Sequence, residues 1–231
     1  MLVKLTDEKI HPTPVVTRAN EAGRSIVETL MVLTIGAIIT SVAVPQMLSA
    51  RRLLRSSSMA REIASQLRFA RQQAMTQRQA MTFQYDNSTR TLKIFDHNNT
   101  NNANAGCNMT GLAVLTASGY PNTVCTSLVS TLPLATGASA TELTYGIPTG
   151  ITATTLDDGN TLTALSGTGL VNITFQPDGT VQDSAGNYST ASLFFYNSQV
   201  PTQTASAISI LGAAGRIKIW RYSTSASKFA E

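Results

Sequence analysis

Two histidines, His11 and His97, make up the imidazole complement of this 231-residue chain. No Ser-His-Asp arrangement, metal-ligand spacing or phosphate-cradling glycine loop accompanies them. The expected catalytic set is therefore empty, no metal or cofactor is implied, and the chain does not read as an enzyme. Asp157-Asp158-Gly159-Asn160 gathers carboxylates that a hard cation could use, but the same residues make a plain turn. Cys107 and Cys125 fit one disulfide in an oxidising compartment, and two separate thiols fit the count as well. A bridge there would stabilise its surroundings by about 3 kcal/mol on the chain-entropy model. Near the carboxyl end, Arg216, Lys218, Trp220 and Tyr222 alternate onto one face of a strand, with Arg221 beside them. Cations and aromatics on one face suit a nucleic-acid backbone and base stacking; a solvent face beside a half-buried tryptophan uses the same residues.

The remaining chemistry is a single carboxylate. Glu28 lies in a run from Ser25 to Ala50 that holds no other charge. About 20 such residues at 1.5 Å each cross a ~30 Å hydrocarbon core. An acid in the middle of a span costs ~2.5–3.5 kcal/mol and less near the interface, so Glu28 needs a reason to be there. The elements that position it follow from the pattern. Residues from Arg24 to about Gln79 read as one long helix, apolar almost all round in its first half. Pro45 lacks an N–H and should loosen that helix locally, with Gly36 a second soft point. Beyond Ala50 the helix turns amphipathic: Met59, Ile63, Leu67, Ala70 and Ala74 share a face, with Arg61 and Arg68 opposite.

Charge follows the same division. The net charge is +4, yet residues 24–78 hold eight arginines against Glu28 and Glu62, while residues 79–231 hold six basic and eight acidic groups. The basic character belongs to the helix. A nucleic-acid reading from overall charge alone fails on that division.

Glu21-Ala22-Gly23-Arg24-Ser25-Ile26-Val27-Glu28, leading into the apolar run, resembles the prepilin signal of type IV pilins and type II secretion pseudopilins. In those families a peptidase cuts after the glycine and the fifth residue left is a glutamate. Cutting after Gly23 makes Arg24 the first residue and Glu28 the fifth, and Pro45 falls where such chains carry a helix-loosening proline. The resemblance implies that Glu28 pairs with the free amine of a neighbouring subunit during assembly. It also implies amino-terminal methylation, although Arg24 stands where phenylalanine is common.

Downstream, Met81–Tyr85 and Thr91–Phe95 read as a hairpin around Asp86-Asn87-Ser88-Thr89. Residues 97–140 are rich in Asn, Thr and Ser and read as a long loop or insertion. Further strands are expected at Leu143–Tyr145, Leu170–Phe175, Ser192–Tyr196, Ala207–Leu211 and Arg216–Tyr222, with a turn at Pro177-Asp178-Gly179-Thr180. Phe175 to Thr180, the later Gly215-Arg216-Ile217-Lys218-Ile219, and Leu67 to Ala74 in the helix together resemble GspH/FimT-type minor pseudopilins. Members ending Gly-Arg-x-Arg are linked to DNA uptake; here lysine replaces the second arginine and loses its bidentate fork.

The expected fold class is α+β: a pilin-like lollipop with a long amino-terminal helix packed on an antiparallel β head. Its parts are a leader at 1–23, a transmembrane or filament-core helix at 24–50, an amphipathic continuation at 51–79 and a β-rich periplasmic head at 80–231. The implied location is the inner membrane, single-pass, then a filament. The implied partners are other pilin or pseudopilin subunits, the prepilin peptidase and the inner-membrane assembly platform, with DNA added in the alternative reading.

Overall fold

The structure, a computed structural model, describes residues 25–97, 127–134, 141–151, 156, 162–163, 165, 167–183 and 186–231. His11, Gly23, Arg24, Cys107, Cys125 and the 157–160 turn lie outside the described residues. The chain divides into two units, Met1–Pro45 and Gln46–Glu231. Its elements in order are α1 (Ile26–Gln77), β1 (Met81–Asp86), β2 (Thr91–Asp96), β3 (Ser127–Pro133), β4 (Leu143–Tyr145), β5 (Leu170–Phe175), β6 (Ala191–Asn197), α2 (Pro201–Thr204), β7 (Ser206–Leu211), β8 (Arg216–Ser223) and β9 (Lys228–Ala230). The class is α+β, as the pattern predicts.

In the first unit the described residues are the start of α1, and every one of them is exposed. Ser25 caps the helix: its Oγ accepts the Val27 N–H at 3.3 Å. Hydroxyls in this apolar stretch are satisfied within the helix. Thr34 Oγ1 donates to the Met31 carbonyl at 2.8 Å and Thr40 Oγ1 to that of Gly36 at 2.7 Å. Such back-bonds let threonine sit in hydrocarbon without an orphaned donor. Pro45 is accommodated inside the helix without ending it.

In the second unit the continuation of α1 buries the face that the spacing predicts: Ile63, Leu67, Ala70 and Ala74 have no exposed surface and Met59 is buried. They meet two antiparallel sheets, one of strand order β3-β2-β1-β5 and one of order β4-β6-β7-β8-β9. Phe83 and Tyr85 of β1, Ile173 and Phe175 of β5, Leu193 of β6 and Ile208 of β7 complete this core. Fully burying a side chain of that size stabilises by ~1.5–3 kcal/mol each, so this cluster dominates the fold. A second cluster covers the other side of the second sheet, where Phe194, Ala207, Trp220 and Phe229 pack with Ile151 and Leu156.

The β1–β2 hairpin forms where expected, with Asp86, expected in the turn, pairing with Thr91 at the end of β1. Asp86 Oδ1 accepts from the Ser88 N–H at 3.0 Å, the Ser88 hydroxyl at 2.6 Å and the Thr89 N–H at 3.3 Å. Burial pushes its pKa up, but the hydrogen bonds from Ser88 and Thr89 outweigh that and hold it down to about 2.

The structure adds two strands to the sequence reading. The 97–140 stretch, expected to be loop, contains β3, which pairs with β2 across a bulge at Ile94/Phe95. Its hydroxyl-rich composition hid a strand that keeps Leu132 packed against the core and Leu128 in solvent. The strands of the head divide between the two sheets. The short β9, which pairs with β8, was not anticipated because three residues give no period to read.

Candidate functional site: the long helix and the cationic strand

Glu28 stands in the first turn of α1, three residues after the cap Ser25. Ser-x-x-Glu is the spacing of a capping box, and the helix's positive end favours a carboxylate there. The helix therefore begins where Glu28 is locally welcome as well as available to a partner, since it is exposed. Ile26, Val27, Leu30, Met31 and Leu33 around it are all more than half exposed, an apolar surface that water does not favour. One helix in the described residues, α1, is long and apolar enough to cross a membrane.

Where α1 enters the second unit, polar contacts tie it to the head. Arg52 Nη2 donates to Glu142 Oε1 at 3.3 Å, and Asn197 Nδ2 donates to Glu142 Oε2 at 2.8 Å. The Asn197 hydrogen bond, with the charge of Arg52, holds the Glu142 carboxyl below its usual range. One turn on, Ser56 Oγ donates to the Thr204 carbonyl at 2.8 Å.

Arg71 makes the third tie, and it explains two motifs at once. Its Nε donates to the Gly179 carbonyl at 3.1 Å and its Nη2 to that of Ala214 at 2.9 Å. Gly179 belongs to the Pro177–Thr180 turn, and Ala214 to the turn that joins β7 to β8. Gly215 sits at φ +58° against the Gly179 carbonyl oxygen, which an added Cβ would overlap. The stem, the Pro-Asp-Gly turn and the Gly-Arg start of β8 thus meet at one guanidinium. The sequence reading set Arg61 and Arg68 opposite the buried face and did not single out Arg71. Its only signal was position: Arg71 adjoins Ala70 on the buried face.

Strand β8 carries the cationic and aromatic set. Arg216, Lys218, Trp220 and Tyr222 share a face by alternation, as predicted. Arg216 is exposed. Lys218 Nζ lies 3.1 Å from Glu231 Oε2 and 5.0 Å from the centre of the Trp220 ring. Trp220 is 4% exposed and its Nε1 donates to Ser209 Oγ at 2.8 Å. Base stacking is therefore closed to Trp220, because Phe194, Phe229 and Ile151 already cover that side of the sheet. Arg221 points to the other face, where it lines a cleft with Leu53, Leu54 and Thr204. Arg216 and Lys218 thus share a face of β8 with a buried tryptophan, and Arg221 lies apart from them.

Two crystal structures of the type IV minor pilin FimU from Pseudomonas aeruginosa strain PAO1 are similar to this chain. One, in space group P21, has a TM-score of 0.43 at 19% identity, covering 80% of this chain and 97% of that one. The other, in space group P65, has a TM-score of 0.40 at 19% identity, covering 76% of this chain and 97% of that one. No family model matches the sequence, and no curated protein matches it.

His97, placed in a loop by sequence, is buried at the end of β2. Its Nε2 lies 2.5 Å from Thr82 Oγ1, which lies 2.7 Å from Thr174 Oγ1. Burial pushes its pKa down to about 4, so the imidazole is neutral at ordinary pH. Among the described residues no group of three or more His, Cys, Asp or Glu could hold a metal.

Proposed function

We propose that the chain is a minor pilin or pseudopilin, a structural subunit of a type IV pilus or type II secretion pseudopilus. It is inserted in the inner membrane with its head on the periplasmic side, cut after Gly23, and added to a filament through α1. One observation carries the reading. A single helix is apolar and wholly exposed from Ile26 to Leu48, then buries its Ser56–Ala74 face in the core of a β head. Water does not favour the first part, whereas a bilayer and then a helical bundle both cover it. Glu28 supplies axial register: a carboxylate in an apolar bundle is costly until paired, which rewards the one offset that brings it to a neighbour's amine.

Mass spectrometry of the mature amino terminus tests the processing. A chain starting at Arg24 is expected; an intact Met1 or any other start overturns it. For assembly, Glu28→Ala should leave the protein membrane-bound but absent from sheared filaments.

A second reading, a DNA-binding minor pilin, keeps Arg216 and Lys218 as phosphate contacts, because both stand on the same face of β8. With Trp220 buried and Arg221 on the other face, it rests on two cations, one of them beside Glu231. Neutralising Arg216 and Lys218 in a mobility-shift assay decides it, and no shift of the unsubstituted protein at low salt ends it.

A further inference from the structure

Three arginines, Arg51, Arg52 and Arg55, follow the apolar run of α1 within five residues. They are not equivalent. Arg52 donates to Glu142, whose other oxygen is taken by Asn197. Glu142 also feels the charge of Arg55, but its hydrogen bonds go to those two partners. Arg51 and Arg55 are exposed and, at a spacing of four, lie on one face of the helix. The next carboxylate along α1, Glu62, accepts from Gln66 Nε2 at 3.1 Å. Two guanidinium groups are thus left on the surface, and the carboxylate that Arg55 feels is already engaged.

We propose that Arg51 and Arg55 bind the phosphates of anionic lipid headgroups, forming a collar that holds the helix at the membrane surface. The proposal rests on the reading of residues 25–50 as a membrane anchor. From Ile26 to Ala50 the helix runs about 37 Å at 1.5 Å per residue, somewhat more than a ~30 Å hydrocarbon core. Arg51 then lies at headgroup level, and Arg55 about 6 Å further along, still within the polar layer. The abundant anion at that depth is phosphate, and the guanidinium fork matches two of its oxygens. A negative surface attracts each basic side chain held near it, a preference on the order of fivefold per arginine. Arg52 adds little, because its charge is already balanced by Glu142.

The test uses the full chain in phosphatidylcholine vesicles carrying trace spin-labelled phosphatidylglycerol or phosphatidylcholine. Electron paramagnetic resonance reads the fraction of each label immobilised at the protein. Immobilised lipid of either kind reports the anchor; the ratio between the two labels reports the collar. The expected result is a several-fold preference for phosphatidylglycerol at low salt, falling towards one in R51Q/R55Q and at high salt, and kept in R52Q. Immobilised lipid without such a preference, or a preference kept in R51Q/R55Q or lost equally in R52Q, overturns the collar and leaves the anchor standing. No immobilised lipid at all overturns the anchor reading and the collar with it. Circular dichroism establishes that the variants are folded, R52Q included, whose bond to Glu142 is lost.

Discussion

His97 ties the stability of the head to pH. In the folded chain its pKa is pushed from 6.5 down to about 4, while the unfolded chain takes up a proton near 6.5. Between those values the unfolded state binds more protons, so stability falls as pH falls. The stability is complete above pH 6.5, and the two carboxyls held low, Asp86 and Glu142, begin to matter only below about 4.5. Chemical denaturation of the chain in detergent at pH 7.5 and 4.5 should differ by roughly 2 to 3 kcal/mol. In His97→Gln the difference should nearly vanish; an undiminished slope would mean that another group carries it. Arg71 and Gly215 give a paired expectation. Arg71→Ala leaves the Gly179 and Ala214 carbonyls without their charged donor and should cost about 2 kcal/mol, read by thermal melting. Gly215→Ala should cost at least as much, about 2 kcal/mol or more, because it adds an overlap to a left-handed backbone.

At the scale of elements, α1 makes a simple contrast. Leu67 has no exposed surface and Leu54 is 70% exposed on the same helix. Leu67→Ala should destabilise the head by about 3 kcal/mol, whereas Leu54→Ala should stay within about 0.5 kcal/mol in the same urea titration. The buried face of α1 was legible in the sequence because its period of 3.6 is sustained over five apolar residues. Strands β4 and β5 were legible to the residue, and β6, β7 and β8 to within a residue at either end, because each is a short β-branched or aromatic run between turn formers. Strand β3 was not, since serine and threonine on its face imitate loop composition and its partner β2 lies some 30 residues away. The ties at Glu142, Thr204 and Arg71 were also hidden. Each joins groups far apart in the chain, and two use backbone carbonyls, which carry no sequence signature. The two readings open for Trp220 could not be separated by sequence for a related reason: alternation says which face a residue takes, but not what else covers that face.

On the scale of the whole molecule, the division of charge and of apolar surface sets the expected handling of the protein. The exposed apolar length of α1 should keep the chain in the pellet when membranes are washed with alkaline carbonate and release it only with detergent. Recovery in the carbonate supernatant would contradict the anchor. The slightly acidic head and basic helix predict that raising salt weakens whatever the helix binds through its arginines and leaves the core of the head unchanged.

The order of strands in the first sheet has a consequence for biosynthesis. Strand β1 pairs on one side with β2, the next to be made, and on the other with β5, whose Leu170 faces Asp86. Some 80 residues separate them, so at about 5–20 residues per second one edge of β1 stays open for several seconds after the hairpin has formed. During that interval the hairpin and α1 bury only part of their shared core, and an unpaired strand edge is a template for the wrong partner. The nascent chain passes through this stage after its apolar helix has already emerged. A holdase acting on this chain should therefore matter most between the completion of β2 and the arrival of β5.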